Sequence, residues 1–189
     1  MSIDWNDEVV DQMDSHWRDR LRPRLHGLTD DEYFWEPVPG CWSLRRRGES
    51  SAPCFIGNGE LVMDYADLPP DHEPVTTIAW RLAHLITVMG SPAAPHFQPE
   101  TSDSPSIEFV GTAETALRQL DEGYQAWMAD VRTLGVAGLA RPQGDLSPPS
   151  FSDAAIARLV MYSHVEVIQH GAEICLLRDL YREPGDTAL

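Results

Sequence analysis

Residues 78–89 are the most apolar segment of this chain, with the sequence IAWRLAHLITVM and a single charged residue, Arg81. A helix that is apolar on all sides is stable only when most of its surface is buried. The pair Thr76-Thr77 supplies an N-cap for such a helix, and Gly90 stops it. The segment is therefore predicted to be the central helix of the fold, around which the other elements must pack.

Three further segments repeat apolar residues at intervals of three and four, which is the period of an α-helix. They run from about Ile3 to Leu25, from a cap at Thr112 to about Leu134, and from a cap at Ser152 or Asp153 to Tyr181. Four helices with apolar stripes predict an all-α fold, a four-helix bundle. A length of 189 residues is enough for one domain, so we expect residues 1–189 to form a single domain.

The stretch 30–73 between the first two helices holds too many prolines and glycines to form one regular element. It is also rich in aromatic residues, namely Tyr33, Phe34, Trp35, Trp42, Phe55 and Tyr65. A loop of this length is functional or disordered, and aromatic side chains favour order. We predict that this excursion packs back on the helices and contains a short hairpin around residues 55–62.

The charge balance argues against a nucleic-acid partner. Thirty acidic residues stand against 14 Lys and Arg, giving a formal charge of −16, so a phosphate backbone would be repelled. No apolar window approaches the length of about 18 residues that a membrane span needs, and the first residues are acidic. We therefore expect a cytoplasmic protein that binds neither nucleic acid nor membrane. Its three cysteines are an odd number without a C-x-x-C spacing, so we expect reduced thiols. A homodimer is compatible with the sequence.

Glu166 and His170 are polar residues beside the apolar stripe of the fourth helix. They are four positions apart, about 40° around the helix, so their side chains project together toward the interior. A buried carboxylate must be paired, neutralised or bound to a cation. Two interpretations stay open, a structural Glu–His pair and two ligands of a metal. Glu173 lies on the same flank, either as a solvated charge or as a group that holds a ligand or a water.

A metal site in a helical bundle needs a third ligand from a facing helix, and His84 is the candidate. A helical wheel places His84 with Trp80 and Thr87, opposite the strongest apolar stripe of the central helix. This position suits a ligand only if that helix is sandwiched between the core and a cavity covered by the excursion. The alternative is a structural histidine with satisfied hydrogen bonds.

The remaining histidines are treated separately from this candidate site. His164 points about 120° away from His170 on the helical wheel and is not expected to share a site with it. Four others lie in polar or proline-rich surroundings and are predicted to be surface residues: His16, His26, His72 and His96.

Three segments carry a family resemblance: residues 77–85 (TIAWRLAHL), 170–173 (HGAE) and 28–43 (LTDDEYFWEPVPGCWS). With them the chain resembles the DinB-like superfamily of four-helix-bundle proteins over nearly its whole length. Many members use three histidines, whereas the glutamate here is similar to the His, Glu, His set of the mycothiol-dependent maleylpyruvate isomerase branch. The resemblance implies that His84, Glu166 and His170 bind a divalent metal, with zinc expected and nickel as the alternative.

The same resemblance implies a metal-dependent enzyme acting on a small molecule. Three protein ligands leave one coordination position for a water or a thiol. Resemblance to thiol-dependent members implies a mycothiol- or bacillithiol-like cofactor whose thiolate attacks an electrophile, in a transferase or related reaction. Trp35, Trp42 and Trp80 are candidates for the pocket lining, with plain packing as their alternative. Two other functions stay open, a metal-containing stress or ligand-binding protein without turnover, and a metal-free helical scaffold.

Overall fold

The computed structural model describes residues 3–67, 74–98 and 108–183. Helix α1 is α-helical over Trp5–His16, π-helical over Trp17–Leu21 and α-helical again over Arg22–Arg24. The other helices are α2 (Asp30–Tyr33), α3 (Ile78–Met89), α4 (Ala113–Ala140) and α5 (Ile156–Arg182). The strands are β1 (Leu44–Arg46), β2 (Cys54–Ile56) and β3 (Leu61–Tyr65). The described chain is thus mostly helical, as predicted, and its small sheet has one strand more than the hairpin that was predicted within the excursion.

Helix α3 is the central helix that the sequence predicts. Seven of its twelve residues are buried, and it packs against both α4 and α5. Its ends are also as predicted, because the Thr77 side chain accepts a hydrogen bond from the Trp80 backbone amide and Gly90 terminates the helix with a φ of 72°. Helix α1 packs against α4 and, through its π-helical part, against α5. The four long helices therefore enclose one apolar core.

The start of α5 differs from the prediction of a cap at Ser152 or Asp153. The helix begins at Ile156, and its N-cap Ala155 offers no side-chain hydrogen bond. Backbone pairing replaces that cap, since the Ile156 amide donates to the carbonyl oxygen of Arg141 at 2.8 Å. The sequence could not reveal this pairing, because it joins two loops and leaves no local pattern.

The excursion contains a three-stranded antiparallel sheet in the order β1-β3-β2. The pair β2–β3 is the predicted hairpin, whereas β1 was not predicted because it is three residues long and carries two arginines. Arg47, which follows β1, donates to the carbonyl oxygens of Gly57 and Gly59 in the turn of the hairpin. Arg46 pairs with Glu60 at 3.0 Å. Two of the three arginines in this run therefore contact the hairpin.

The sheet is attached to the N-terminal part of α3. The indole nitrogen of Trp80 donates to the carbonyl oxygen of Asp64 at 2.7 Å, and the amide of Thr77 donates to the carbonyl oxygen of Trp42 at 2.9 Å. The Ser43 hydroxyl lies 2.9 Å from the Thr77 hydroxyl. One side of α3 therefore faces the apolar core and another faces the excursion, which is the sandwiched arrangement that the position of His84 required.

A buried ion pair fastens the far end of α5. Arg178 and Glu32 are 1% and 3% exposed and form two hydrogen bonds, at 2.6 and 3.1 Å. Arg178 also donates to the backbone carbonyl oxygens of Arg24 and His26. This arginine therefore joins α5 to α2 and to the end of α1. This contact could not be predicted from the sequence, because an arginine near a helix end is normally solvated.

No helix in the described ranges is long and apolar enough to cross a membrane. Cys41, Cys54 and Cys175 form no disulfide with one another. This agrees with the prediction of reduced thiols.

Candidate metal centre

The structure brings His84, Glu166 and His170 together. His84 projects from α3, and the other two residues project from adjacent turns of α5. The Nε2 atoms of His84 and His170 lie 3.0 and 3.2 Å from the same Glu166 oxygen, Oε2. The three ligand atoms all lie within 4.8 Å of one another. Residues that are 82 positions apart in the chain thus converge on one point.

Aromatic packing orients the imidazole of His84. The indole ring of Trp80 stacks on it with a centroid distance of 5.2 Å and an interplanar angle of 9°. The two imidazoles meet edge to face, with 4.8 Å between the centroids of His84 and His170. Because Trp80 is hydrogen-bonded to the backbone of β3, the sheet of the excursion helps to hold the ring of His84.

The donor set fits a divalent transition metal. Zinc binds imidazole nitrogen and carboxylate oxygen at about 2.0–2.2 Å, so neighbouring ligand atoms of a tetrahedral site lie roughly 3.4 Å apart. The two distances to Glu166 are close to that value. Three protein ligands also leave a fourth position for a water or a substrate atom. The cluster can therefore hold a metal after small movements of its side chains.

Protonation states at the cluster also suit a metal. Burial lowers the pKa of His84 and outweighs the opposing hydrogen bond to the Glu166 carboxylate, so the neutral imidazole is favoured. Burial would raise the pKa of Glu166, but hydrogen bonds with His84 and Tyr162 outweigh it and lower that pKa, which favours the carboxylate. Neutral imidazole and ionised carboxylate are the forms that bind metal.

Glu173 and Arg81 lie behind His170. Oε2 of Glu173 is 2.6 Å from Nδ1 of His170, and Nη1 of Arg81 contacts the same oxygen. In the tautomer that carries its proton on Nδ1, His170 donates to Glu173 and leaves the lone pair of Nε2 free for a metal. Glu173 therefore contacts His170, and its role beside a metal ligand stays a prediction. Arg81 was not predicted as part of the site, although it is the only charged residue of α3 and lies three positions before His84.

The cluster opens into a cavity of about 490 Å³ between α3, α5 and the sheet. Two of the three predicted lining tryptophans, Trp42 and Trp80, line this cavity. Trp35 does not, because its ring packs edge to face against Tyr181 with 5.6 Å between centroids. The sequence pattern did not reveal this contact, because Trp35 and Tyr181 are far apart in the chain. The remaining walls are mainly apolar and include Ile56 and Met63.

The other histidines lie outside the cluster. His26 is exposed, as predicted, and His16 is half-buried. The surface prediction for His96 is wrong, because its side chain is 6% exposed and its Nδ1 lies 2.8 Å from the carboxylate of Asp130. His96 instead lines a larger cavity of about 880 Å³ that shares no lining residue with the first. His72 lies outside the described residues.

His164 is almost completely buried on a face of α5 away from the cluster, as the helical wheel indicates. Burial lowers its pKa to about 4, although the nearby Asp14 opposes that shift. It is therefore neutral at pH 7.

Fold and site together define a mostly helical protein with a His/Glu/His cluster that could hold a metal. The model of the DinB superfamily matches residues 12–174, which is most of the chain and includes all three cluster residues, so the chain belongs to this superfamily. A comparison with curated proteins and a comparison with solved structures found no significant match. The narrower resemblance to the mycothiol-dependent isomerase branch stays a prediction.

Proposed function

We propose that this protein is a metal-dependent enzyme that acts on a small molecule, with His84, Glu166 and His170 as the metal ligands. One observation carries the proposal, the convergence of three ligand atoms on the wall of a cavity of about 490 Å³. Small-molecule sites have volumes of about 300–1,000 Å³. The cavity is therefore large enough for a substrate beside the metal.

The chain's own residues would perform the following work. His84 and His170 bind the metal through Nε2, and Glu166 adds one negative charge. Glu173 would accept a hydrogen bond from Nδ1 of His170 and keep that ring oriented. Trp42 and Trp80 shield the site from bulk water. A zinc ion held there would lower the pKa of a bound water or thiol, and so supply a nucleophile at neutral pH.

We further propose that the nucleophile comes from a low-molecular-weight thiol of the mycothiol or bacillithiol kind and that the acceptor is an electrophilic small molecule. The resemblance to thiol-dependent members supports the choice of thiol, and a fourth coordination position left by three protein ligands would have room for its sulfur atom. Nickel in place of zinc would leave the roles of the protein residues unchanged.

Metal content tests the first part of the proposal. We expect about one equivalent of zinc or nickel in the purified protein, and less than a tenth of that in His170→Ala, because two remaining ligands bind a metal weakly. Zinc at about 1,000 times its Kd should stabilise the metal-free wild type by about 4 kcal/mol, seen as a rise in Tm. His26→Ala is the control, since it removes an exposed histidine outside the cluster.

The outcomes separate the three functions. If the purified protein holds no metal and its Tm does not rise on adding zinc, only the metal-free scaffold remains of the three functions. A metal-loaded protein is next incubated with mycothiol or bacillithiol and a panel of electrophiles, and conjugates are measured by mass spectrometry. Conjugate formation that disappears in His170→Ala supports the enzymatic function. Binding of metal and thiol without any conjugate would instead support the ligand-binding protein.

We also propose that residues 1–189 form a single domain and that α1, α3, α4 and α5 form a four-helix bundle. Pairwise packing of these helices around one core supports this arrangement.

A further inference from the structure

Arg81 is an unusual residue for a helix as apolar as α3. Its side chain is 14% exposed, and it lies in the wall of the metal-site cavity. A buried guanidinium is strongly penalised unless it is paired. Its partner is Glu173, on the facing helix α5 and 92 positions away in the chain. The pair therefore crosses between the two helices that carry the candidate metal ligands.

Two donors share one carboxylate oxygen of Glu173. Nη1 of Arg81 and Nδ1 of His170 both contact Oε2, and these two nitrogen atoms lie 3.0 Å apart. A guanidinium has no acceptor atom, so Arg81 cannot accept the Nδ1 proton of His170. When Nε2 of His170 binds a metal, Nδ1 carries the proton, so the carboxylate accepts hydrogen bonds from both nitrogen atoms and the arginine holds it in position. The imidazole is then fixed by the carboxylate.

We propose that Arg81 is a positioning residue of the metal centre, which holds the Glu173 carboxylate against Nδ1 of His170 so that Nε2 points to the metal. This inference rests on the proposed function, because it assumes that the cluster binds a metal. Groups that orient a ligating histidine typically contribute 10–100-fold to metal affinity. Arg81 would act one step further back, through Glu173.

The sign of the effect distinguishes positioning from simple electrostatics. Arg81 is a cation close to a site for another cation, so its charge alone weakens metal binding. Removing that charge would tighten binding if Arg81 had no other role. A positioning role predicts the opposite, because a Glu173 carboxylate without its arginine is free to leave His170. The direction of the change in Kd is therefore diagnostic.

The test compares Arg81→Met, Glu173→Gln and the double variant in the full chain. Zinc affinity is measured by competition with a chromophoric chelator, and the site geometry by the visible spectrum of bound Co²⁺. We expect the Kd for zinc to rise about 10–100-fold in each single variant. In the double variant the Kd should be no higher than in Glu173→Gln alone, because Arg81 acts through that residue.

The control is Arg22→Met, which removes a comparable pair. Arg22 makes two hydrogen bonds to Asp121, at 2.7 and 2.9 Å, and neither residue lines the cavity. Its zinc affinity and Co²⁺ spectrum should equal those of the wild type. Arg81→Lys restores a positive donor and should recover part of the affinity. Arg81→Gln replaces the methionine variant if that variant does not fold, with the same expected loss.

Three results would overturn the inference. If the wild type binds zinc and Arg81→Met binds it equally or more tightly, the arginine does not position the ligand. Losses that add up in the double variant would show that Arg81 does not act through Glu173. A wild type that binds no zinc would instead reject the proposed function itself, and this inference with it.

Discussion

Arg178 and Glu32 show how a single side-chain pair can secure a helix end. Both side chains are almost fully buried, and the guanidinium is shared between the carboxylate and two backbone carbonyl groups. A buried pair of this kind adds little net stability compared with a well-packed apolar pair. Removing one member is costly, however, because the other charge stays buried without a partner.

We therefore expect Arg178→Met to lower the free energy of unfolding by about 3–5 kcal/mol. The measurement is urea denaturation followed by circular dichroism. Arg24→Met is the matched control, because Arg24 pairs with Asp179 where both side chains are about half exposed, and exposed pairs contribute at most about 1 kcal/mol. Equal losses in the two variants would show that the buried pair has no special role.

At the scale of elements, the end of α4 is where the prediction from helical periodicity differs from the structure. Its apolar stripe predicts an end near Leu134, whereas the helix runs to Ala140 with a kink at Gly135, whose φ and ψ are 58° and 178°. This region of backbone space is essentially restricted to glycine. The predicted end thus marks the kink. Beyond it the last turns of α4 bring Leu139 back into the core.

Replacing Gly135 by alanine should cost about 1–3 kcal/mol, because a β-carbon disfavours this conformation. Space is not the reason, since a β-carbon there would meet no atom within 4 Å. Gly111→Ala is the control, because its backbone is not in a positive-φ conformation and its nearest neighbour, Leu61, would be 3.5 Å away. Thermal unfolding compares the two. An equally small effect of both substitutions would contradict the strained conformation at Gly135.

At the scale of the whole molecule, helices and sheet are expected to unfold together. The sheet is attached to α3 through Trp80 and Thr77, and the four long helices share one core. A single domain of this size normally unfolds in one cooperative transition. With a formal charge of −16, repulsion between the acidic side chains destabilises the folded state, and added salt weakens that repulsion.

We predict one unfolding transition, with the same midpoint by far-ultraviolet circular dichroism and by tryptophan fluorescence. The first probe follows the helices, and the second includes Trp42 and Trp80 at the contact between the sheet and α3. Added sodium chloride at 0.5 M should raise the midpoint of the metal-free protein. Two separate midpoints would contradict the single-domain prediction.

The sequence by itself determined the features that depend on near neighbours. Apolar periodicity and the Thr77 and Gly90 boundaries predicted α3, and the pattern of residues 55–62 predicted the hairpin. The spacing of Glu166 and His170 predicted that their side chains project together from α5. These features could be predicted because helix caps, helical periods and tight turns involve residues only a few positions apart.

Only the tertiary structure decided which distant residues meet. Arg81 reaches Glu173, Arg178 reaches Glu32, and Trp35 turns toward Tyr181 instead of the cavity. Each of these contacts joins segments about 90 or more positions apart, so their identity follows from how the helices pack and not from any local pattern. The His84 contact with Glu166 belongs to the same kind, and it was the family resemblance, not periodicity, that favoured it. The positions of charged and aromatic side chains depend most on tertiary packing, because packing can bury side chains that a local pattern would leave in solvent.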